Sequence, residues 1–410
     1  MKRIALILLS LILIVSMTAC SGGGSQAAQT GEKTVELAQG VTDNEVKVGS
    51  IGVQSGTLAF IGQPYFGGMK AYFDTLNDAG GINGRKIHLV IEDDEFKADK
   101  AIAAAEKLIE EEKVFAVVGQ LGTPGVLAAA DTVKEAGIPS VYFGSGAVAL
   151  TQLGSNFFPV QPNYEYEGKL MAQYVANEAK AAKVVVLYQN DDVGREGLTG
   201  IKEALKSLGK DSILSSENEI AFGAADKDFT AQIQKAKAAK PDYVILYGLS
   251  GGAAGILKEV EKVEFSVPIL TTYSNADASF LALAAAGAPK MTENLRVMGW
   301  LEVNQAKLQP LMDAMKKYYP DIPVNSYTMA GWVAAETFAA GLKGAGENLS
   351  WEGYIAAMDK LDFKDGLAAE IKYAPGVREG VKKMAVSKAV LKDGVYSFQQ
   401  VSDFIEFQGK

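Results

Sequence analysis

The chain of 410 residues has one cysteine, Cys20, and one histidine, His88. A lone cysteine supports neither an internal disulfide nor a thiolate zinc site. A lone histidine leaves little room for histidine-based acid–base catalysis. Most of the nucleophile–base pairs that enzymes use are therefore absent from this chain. We expect no enzymatic activity, no bound metal and no cofactor. A catalytic pair of carboxylates is the alternative that stays open.

Basic residues are also fewer than acidic ones: the chain has 40 Lys and Arg against 49 Asp and Glu, for a formal net charge of −9. An acidic protein is a poor partner for nucleic acid or for an anionic lipid surface. Beyond the first twenty residues, no segment is apolar over the roughly 20 residues that a membrane span needs. The hydrophobic content of 48% and the length favour a globular protein of two domains.

The first twenty residues have the parts of a secretory signal, namely a basic start, an apolar run over 4–15 and small residues before Cys20. Residues 17–20 resemble the bacterial lipobox, whose cysteine receives a diacylglyceryl group and becomes the N-terminus. Residues 21–43, rich in small and polar residues, are predicted to form a flexible tether. We expect an exported protein, lipid-anchored at Cys20 to the cell membrane and facing the periplasm or exterior. The alternative is an ordinary cleaved signal.

From Glu45 onward, strand patterns alternate with helix patterns. The continuous apolar run 114–119 is typical of a strand buried on both faces, and 98–112 has its apolar residues on one helical face. Further strands are predicted at 46–53, 86–92, 138–142, 184–188, 243–247 and 268–271, and further helices at 164–178, 195–208, 226–239 and 253–263. This alternation predicts an α/β protein with two doubly wound parallel-sheet lobes, because it contains too many units for one compact sheet.

Three glycine-rich loops follow predicted strands, at 120–124, 143–147 and 247–252. Ligands of open parallel sheets bind beyond the carboxyl ends of the strands. The first loop leads into a helix beginning near Thr123, and free N–H groups there suit an anion such as a carboxylate. The small residues of the other loops let a ligand approach the backbone closely. Each loop could instead be a tight turn that needs glycine for its geometry alone.

The run 76–87, LNDAGGINGRKI, resembles the Asn-x-x-Gly-Gly-Ile-x-Gly signature of branched-chain amino-acid binding proteins. Similar blocks lie at 48–56, 91–94, 117–123 and 190–197, and the resemblance extends from about Glu45 to the C-terminus. It implies a type I periplasmic-binding-protein fold, with two lobes joined by three crossover segments around a ligand cleft. It also implies delivery of a small solute to the permease of an ABC importer.

The same resemblance implies how the chain divides between the lobes. We expect the N-terminal lobe to comprise residues 44–160 and 276–365. The C-terminal lobe would comprise residues 161–275 and 366–410.

Carried over onto this chain, the family pattern implies that Thr123 donates its hydroxyl and its backbone N–H to a ligand carboxylate. Phe60 or Ile61 falls where the family places an aromatic ring over the ligand. Gly144, Ser145 and Gly146 are expected to line the same first-lobe site, and Gln120 and Tyr164 are further expected ligand-binding residues.

In the second lobe the chain departs from the family pattern. Tyr273 stands where amino-acid binders commonly place a carboxylate that pairs with the ligand ammonium, and Ser250 stands near the family's tyrosine. A buried ammonium without a partner is strongly destabilising. Asp192, Asp277 or Glu165 supplies the missing charge, or the ligand is an amide or an aromatic or aliphatic carboxylate rather than an α-amino acid.

These observations together predict a monomeric, lipid-anchored solute-binding protein that serves an ABC importer. The ligand would be an amino acid, an amide or a small carboxylate. The alternative is a ligand-sensing receptor of the same fold that acts on a separate signalling partner.

Overall fold

The computed structural model describes residues 36–302 and 304–409. Cys20 and residues 21–35 of the predicted tether lie outside the described residues. Within the described part, the secondary structure is an alternation of strands and helices, as the apolar pattern predicts. No described helix combines the length and the apolar character that crossing a membrane requires.

The strands and helices are named in chain order. The strands are β1 Glu45–Ile51, β2 Lys86–Glu92, β3 Ala116–Leu121, β4 Ser140–Gly144, β5 Phe157–Phe158, β6 Val184–Gln189, β7 Glu219–Phe222, β8 Tyr243–Tyr247, β9 Ile269–Thr271, β10 Leu295–Gly299, β11 Asp362–Phe363, β12 Ile371–Lys372, β13 Ala385–Lys392 and β14 Val395–Gln400. The helices are α1 Ala59–Asp78, α2 Ala98–Glu106, α3 Thr123–Ala136, α4 Tyr164–Gln173, α5 Asp192–Ser207, α6 Thr230–Ala239, α7 Ser250–Lys262, α8 Ala278–Gly287, α9 Pro289–Glu293, α10 Gln305–Tyr318, α11 Ser326–Ala345 and α12 Trp351–Met358. Both α2 and α4 continue into a π-helical turn.

Two large sheets organise these elements, and β11 and β12 form a separate antiparallel pair. The first has the order β2-β1-β3-β4-β5, and all of its neighbouring strands are parallel. The second has the order β14-β13-β10-β9-β8-β6-β7, and it is parallel except at the antiparallel strands β13 and β14. Every residue of β3 and β8 is buried. The predicted α/β class, with doubly wound parallel sheets, is confirmed.

Three chain segments pass between the sheets and are hydrogen-bonded to one another. The N–H groups of Gly380 and Val381 donate to the carbonyls of Pro159 and Val160 at 3.2 and 2.9 Å. The N–H of Glu302 donates to the carbonyl of Leu367 at 2.7 Å in the same region. The three crossover segments that the family resemblance implies are therefore present.

Residues 276–299 belong with the second sheet, whereas the predicted division of the chain assigned them to the first lobe. Strand β10 pairs with β9 and β13 in the second sheet, and α8 packs against α7 and β14. The chain returns to the first sheet only with α10 and α11, of which α11 contacts α1, β3 and β4. The sequence pattern misses this because Arg296 interrupts the apolar run of β10.

Residues 36–43 are bound to the folded part of the protein, although they were predicted to be the end of the flexible tether. The N–H of Ala38 donates to the carbonyl of Leu349 at 3.0 Å, and Gln39 Nε2 donates to the carbonyl of Val114 at 3.0 Å. These contacts hold residues 36–43 against the first lobe, so the expected tether ends before them.

Helices α1 and α11 approach each other through glycine. A Cβ on Gly331 would lie 1.8 Å from the carbonyl oxygen of Tyr65, and a Cβ on Gly68 would lie 2.0 Å from that of Thr328. Backbone atoms cannot rotate away as a side chain can, so any larger residue must push the helices apart.

We expect Gly331→Ala to lower the free energy of unfolding by about 1–3 kcal/mol, because the added methyl group overpacks the α1–α11 contact. Urea unfolding followed by circular dichroism measures this change. The matched control is Gly344→Ala in the same helix, where the nearest atom to a Cβ is 3.5 Å away. That control should be neutral or stabilising by up to about 1 kcal/mol, and equal losses in both variants would contradict the packing argument.

Candidate functional site

The carboxyl ends of β3 and β4 bring two predicted site residues together. Thr123 begins α3 beyond β3, Ser145 follows β4, and their hydroxyl oxygens are hydrogen-bonded to each other. Ser145 Oγ also accepts from the backbone N–H of Ala147 at 3.2 Å. Ser145 is buried and Thr123 is half-buried. The loops of two parallel strands thus supply adjacent hydroxyl groups at one edge of the first sheet.

Tyr164, the first residue of α4, lies against this hydroxyl pair. Its backbone N–H donates to the carbonyl of Gly146 at 2.8 Å. Burial raises the pKa of Tyr164, although Ser145 and the backbone of Gly146 act in the opposite direction, so the phenol stays protonated at neutral pH. A Cβ on Gly146 would lie 2.7 Å from the Tyr164 ring. Gly146 therefore shapes the site by having no side chain.

Tyr273, in the loop after β9, also lies against Gly146, because a Cβ on that glycine would be 2.5 Å from the tyrosine hydroxyl. Its ring stacks on that of Tyr164 with centroids 6.4 Å apart and 21° between the planes. Its hydroxyl donates to the carbonyl of Pro162 at 3.1 Å and accepts from Gln161 Nε2 at 3.0 Å. Tyr273 therefore lies at the junction of the two lobes, fixed by the first crossover segment.

Glu167 lies behind the two tyrosines and is fully buried. It accepts from the N–H of Tyr273 at 2.6 Å, from Thr272 Oγ1 at 2.8 Å and from the hydroxyl of Tyr247. Burial raises the pKa of Glu167 to about 7, although the three donors act in the opposite direction. Sequence reasoning missed this residue. The available signal was a carboxylate three residues after Tyr164 on the face of α4 that its apolar neighbours bury.

Two carboxylates of the second lobe join it to the first. Asp277 caps α8 by accepting from the N–H groups of Ser279 and Phe280, and its other oxygen accepts from Ser326 Oγ, at the start of α11, at 3.0 Å. Glu196 of α5 accepts from the N–H of Val148 at 3.0 Å. Asp277, expected to contact the ligand, is thus committed to a helix cap and an inter-lobe bond.

Ser250 and Gln120 are held by their own lobes. Ser250 Oγ donates to Asn275 Oδ1 at 3.1 Å in the second lobe. Gln120 is buried under the first turn of α3. A Cβ added to Gly125 in that turn would lie 3.9 Å from Gln120 Nε2 and 2.8 Å from Asp94 Oδ2. Because β3 is covered on both faces, the Gln120 side chain points under a helix rather than joining the hydroxyl pair.

Three further predicted positions stand outside the cluster of hydroxyls and tyrosines. Phe60, at the start of α1, is 64% exposed. Asp192 is exposed at the first position of α5. A Cβ on Gly144 would meet the side chain of Leu121 at 2.4 Å, so this glycine serves packing within the first lobe.

We call the buried cluster of polar side chains at the lobe junction the cleft network. Its members are Thr123, Ser145, Tyr164, Glu167, Tyr247, Thr272 and Tyr273. It presents hydroxyl and N–H donors beside aromatic faces, which suits a small ligand with an anionic or neutral oxygen and an apolar body. Within residues 36–302 and 304–409, no three His, Cys, Asp or Glu side chains are grouped to hold a metal ion.

Comparison with known proteins gives a consistent result. The family model described as periplasmic binding protein matches residues 45–394. An amino acid binding protein of Pseudomonas aeruginosa is 27% identical over 307 residues, which cover 74% of this chain and 80% of that protein. The Leu/Ile/Val-binding protein of Escherichia coli K12 is 23% identical over 318 residues, which cover 76% of this chain and 83% of that protein.

Solved structures share the fold at lower identity. The fatty acid ABC transporter substrate-binding protein of Thermomonospora curvata matches with a TM-score of 0.73 at 22% identity, over 91% of this chain and 95% of that chain. A solute-binding protein of R. palustris in complex with 4-hydroxybenzoate matches with a TM-score of 0.74 at 18% identity, over 89% and 98%. The branched-chain amino acid transporter substrate-binding protein of Streptococcus pneumoniae, in complex with isoleucine, matches with a TM-score of 0.67 at 23% identity, over 87% and 100%.

Proposed function

This chain belongs to the periplasmic binding protein family, and on that premise we propose that it captures a small carboxylate without an α-ammonium group and delivers it to an ABC importer. Membership makes it an extracytoplasmic solute-binding protein of the Leu/Ile/Val-binding type rather than an enzyme. The observation that carries the proposal is that the carboxylates at the lobe junction already accept hydrogen bonds from the protein.

An α-ammonium group would find no free carboxylate in the cleft network. Asp277 accepts from two backbone N–H groups and from Ser326, and Glu196 accepts from Val148. Glu167 accepts from three donors of its own lobe and is fully buried. An ammonium beside these groups would have to share oxygens that already accept hydrogen bonds, and a buried ammonium without a carboxylate is strongly unfavourable.

A ligand carboxylate would meet donors instead. We propose that it approaches Thr123 and Ser145, whose hydroxyls bond to each other and could turn toward an anion, together with backbone N–H groups at the start of α3. The rings of Tyr164, Tyr273 and Trp300 would then contact the apolar part of the ligand. Two structures of this fold have ligands of this kind: the Thermomonospora protein serves a fatty acid transporter, and the R. palustris protein was solved with 4-hydroxybenzoate.

The second candidate ligand is a branched-chain amino acid. It is favoured by the names of the Escherichia coli relative and of the isoleucine-bound Streptococcus structure. The two candidates differ in the ammonium group alone, so a matched pair of ligands separates them.

The deciding experiment is thermal melting of the protein with leucine and with 4-methylpentanoate, which has the same side chain and carboxylate but no ammonium. A ligand at about 100 times its Kd adds about 2.7 kcal/mol to the free energy of unfolding. We expect 4-methylpentanoate or 4-hydroxybenzoate to raise Tm and leucine to leave it unchanged. A larger rise with leucine would favour the amino-acid candidate, and no rise with any small solute would contradict the proposed function.

We expect Thr123→Ala to weaken binding of the ligand identified in that screen by about tenfold or more, because a hydrogen bond to a charged group contributes roughly 1.5–3 kcal/mol. Calorimetric titration measures the change in Kd. Thr123→Ser keeps the hydroxyl and should bind within about twofold of the natural protein, while the Tm of the ligand-free variants should be nearly the same. Unchanged affinity in Thr123→Ala would remove this hydroxyl from the site.

We also propose that lipid on Cys20 holds the receptor at the membrane and that the tether sets its reach. Cys20→Ala should then move the protein from the membrane fraction to the soluble fraction without changing its Kd, because the residues of the cleft network all lie at or beyond Thr123. Fractionation of cells that express each form measures this. Equal retention on the membrane by the variant would contradict lipid anchoring at this residue.

A further inference from the structure

The hydroxyl of Tyr247 has one hydrogen but two acceptors within hydrogen-bond distance. One acceptor is the carbonyl oxygen of Tyr164 at 2.9 Å, and the other is Glu167 Oε2. A phenol donates only once, so an ionised Glu167 would take that hydrogen and leave the Tyr164 carbonyl without it. All these groups are buried, which makes an unpaired acceptor costly.

A proton on Glu167 removes this conflict. The carboxylic acid donates from Oε2 to the phenol oxygen of Tyr247, and the phenol hydrogen then goes to the carbonyl of Tyr164. The second oxygen, Oε1, still accepts from the N–H of Tyr273, and Thr272 Oγ1 still donates to Oε2. Every hydrogen bond of the carboxyl group is then satisfied at once.

We propose that Glu167 is a neutral acid in the native protein and that, in this form, it is a positioning residue which fixes Tyr164 and Tyr273 at the ligand cleft. It reaches Tyr273 through that residue's own N–H and reaches Tyr164 through the hydroxyl of Tyr247. The effect of Glu167 on ligand binding rests on the proposed function, whereas the protonation state of Glu167 does not.

The groups that face Glu167 come from three neighbouring elements. Tyr247 lies on β8, Thr272 and Tyr273 lie in the loop after β9, and Tyr164 begins its own helix. From α5, the acidic group nearest to this cluster is Glu196, which acts on the same Tyr164 and accepts from Val148. No cation of the described part of the chain acts on the pKa of Glu167, which burial raises to about 7.

The chain offers a matched control in Glu336 of α11. This glutamate is also buried, and burial raises its pKa to about 7. Its Oε1 accepts from the N–H of Leu367, in a segment that passes between the lobes, and it makes no bond within the cleft network. Glu336 thus shares the burial of Glu167 but not its contacts with the tyrosines.

Protonation is measured without any ligand by carbon-13 NMR of the Glu167 side-chain carboxyl, assigned by its loss in Glu167→Gln. We expect the carboxyl to be protonated at about pH 6 and to titrate near or above pH 7, far from the ordinary value of about 4.3. An ionised carboxyl at about pH 5 would overturn the proposal. This result stands even if the protein bound no solute, in which case the proposed function alone would fail.

Positioning is measured by Kd for the ligand of the melting screen between about pH 6 and about pH 8. Wild-type affinity should fall as the pH rises through the pKa of Glu167, because the neutral acid is the competent form. Glu167→Gln imitates that form, so it should bind at wild-type strength with no such fall. Glu167→Leu should bind about tenfold more weakly or worse, and Glu336→Gln should keep the wild-type pH profile.

Two results would contradict positioning by the neutral acid. One is an affinity of Glu167→Gln as weak as that of Glu167→Leu, which would mean that the charge is required. The other is loss of the pH dependence in Glu336→Gln but not in Glu167→Gln. If Glu167→Leu fails to fold, the pH profile of Glu167→Gln still decides between these outcomes.

Discussion

Parallel strands covered by helices on both faces leave one kind of place for a ligand, the edge at which the strands end. Both sheets of this protein obey that constraint, since β3 and β8 are buried along their whole length. The loops after β3 and β4 carry Thr123 and Ser145, and the loop after β9 carries Tyr273. The segments that pass between the sheets bring these loops together, so the functional chemistry follows from topology.

The lobe junction is polar, and that creates a second constraint. Buried polar groups require hydrogen-bond partners, and the cleft network meets this requirement mostly within the protein. Glu167 is hydrogen-bonded to Tyr247, Thr272 and the N–H of Tyr273, and Asp277 is shared between the cap of α8 and Ser326. What remains for a ligand is the hydroxyl pair of Thr123 and Ser145, together with aromatic surface. The internal use of the carboxylates is therefore what favours an anionic ligand over a zwitterion.

Much of the fold could be predicted because it depends on strong local patterns. Strand β2 has the predicted bounds, and the buried runs that became β3 and β8 are continuous and apolar. Strand β10 could not be predicted, since Arg296 interrupts its apolar run and only pairing with β9 and β13 defines the strand. The predicted tether extends too far along the chain. Backbone hydrogen bonds hold residues 36–43 against the first lobe, and such bonds give no apolar pattern in the sequence.

The candidate site was predicted only where strand ends determine it. Thr123 and Ser145 lie together because they follow adjacent parallel strands. The buried position of Gln120 depends instead on which face of strand β3 is covered by helix α3. Glu167 was missed because a carboxylate on an apolar helix face is ordinarily exposed, and its three hydrogen-bond partners come from distant parts of the chain. The most direct test is a crystal structure with the ligand that most raises Tm. The account predicts its carboxylate about 3 Å from Thr123 Oγ1, and a ligand bound away from Thr123 and Ser145 would contradict it.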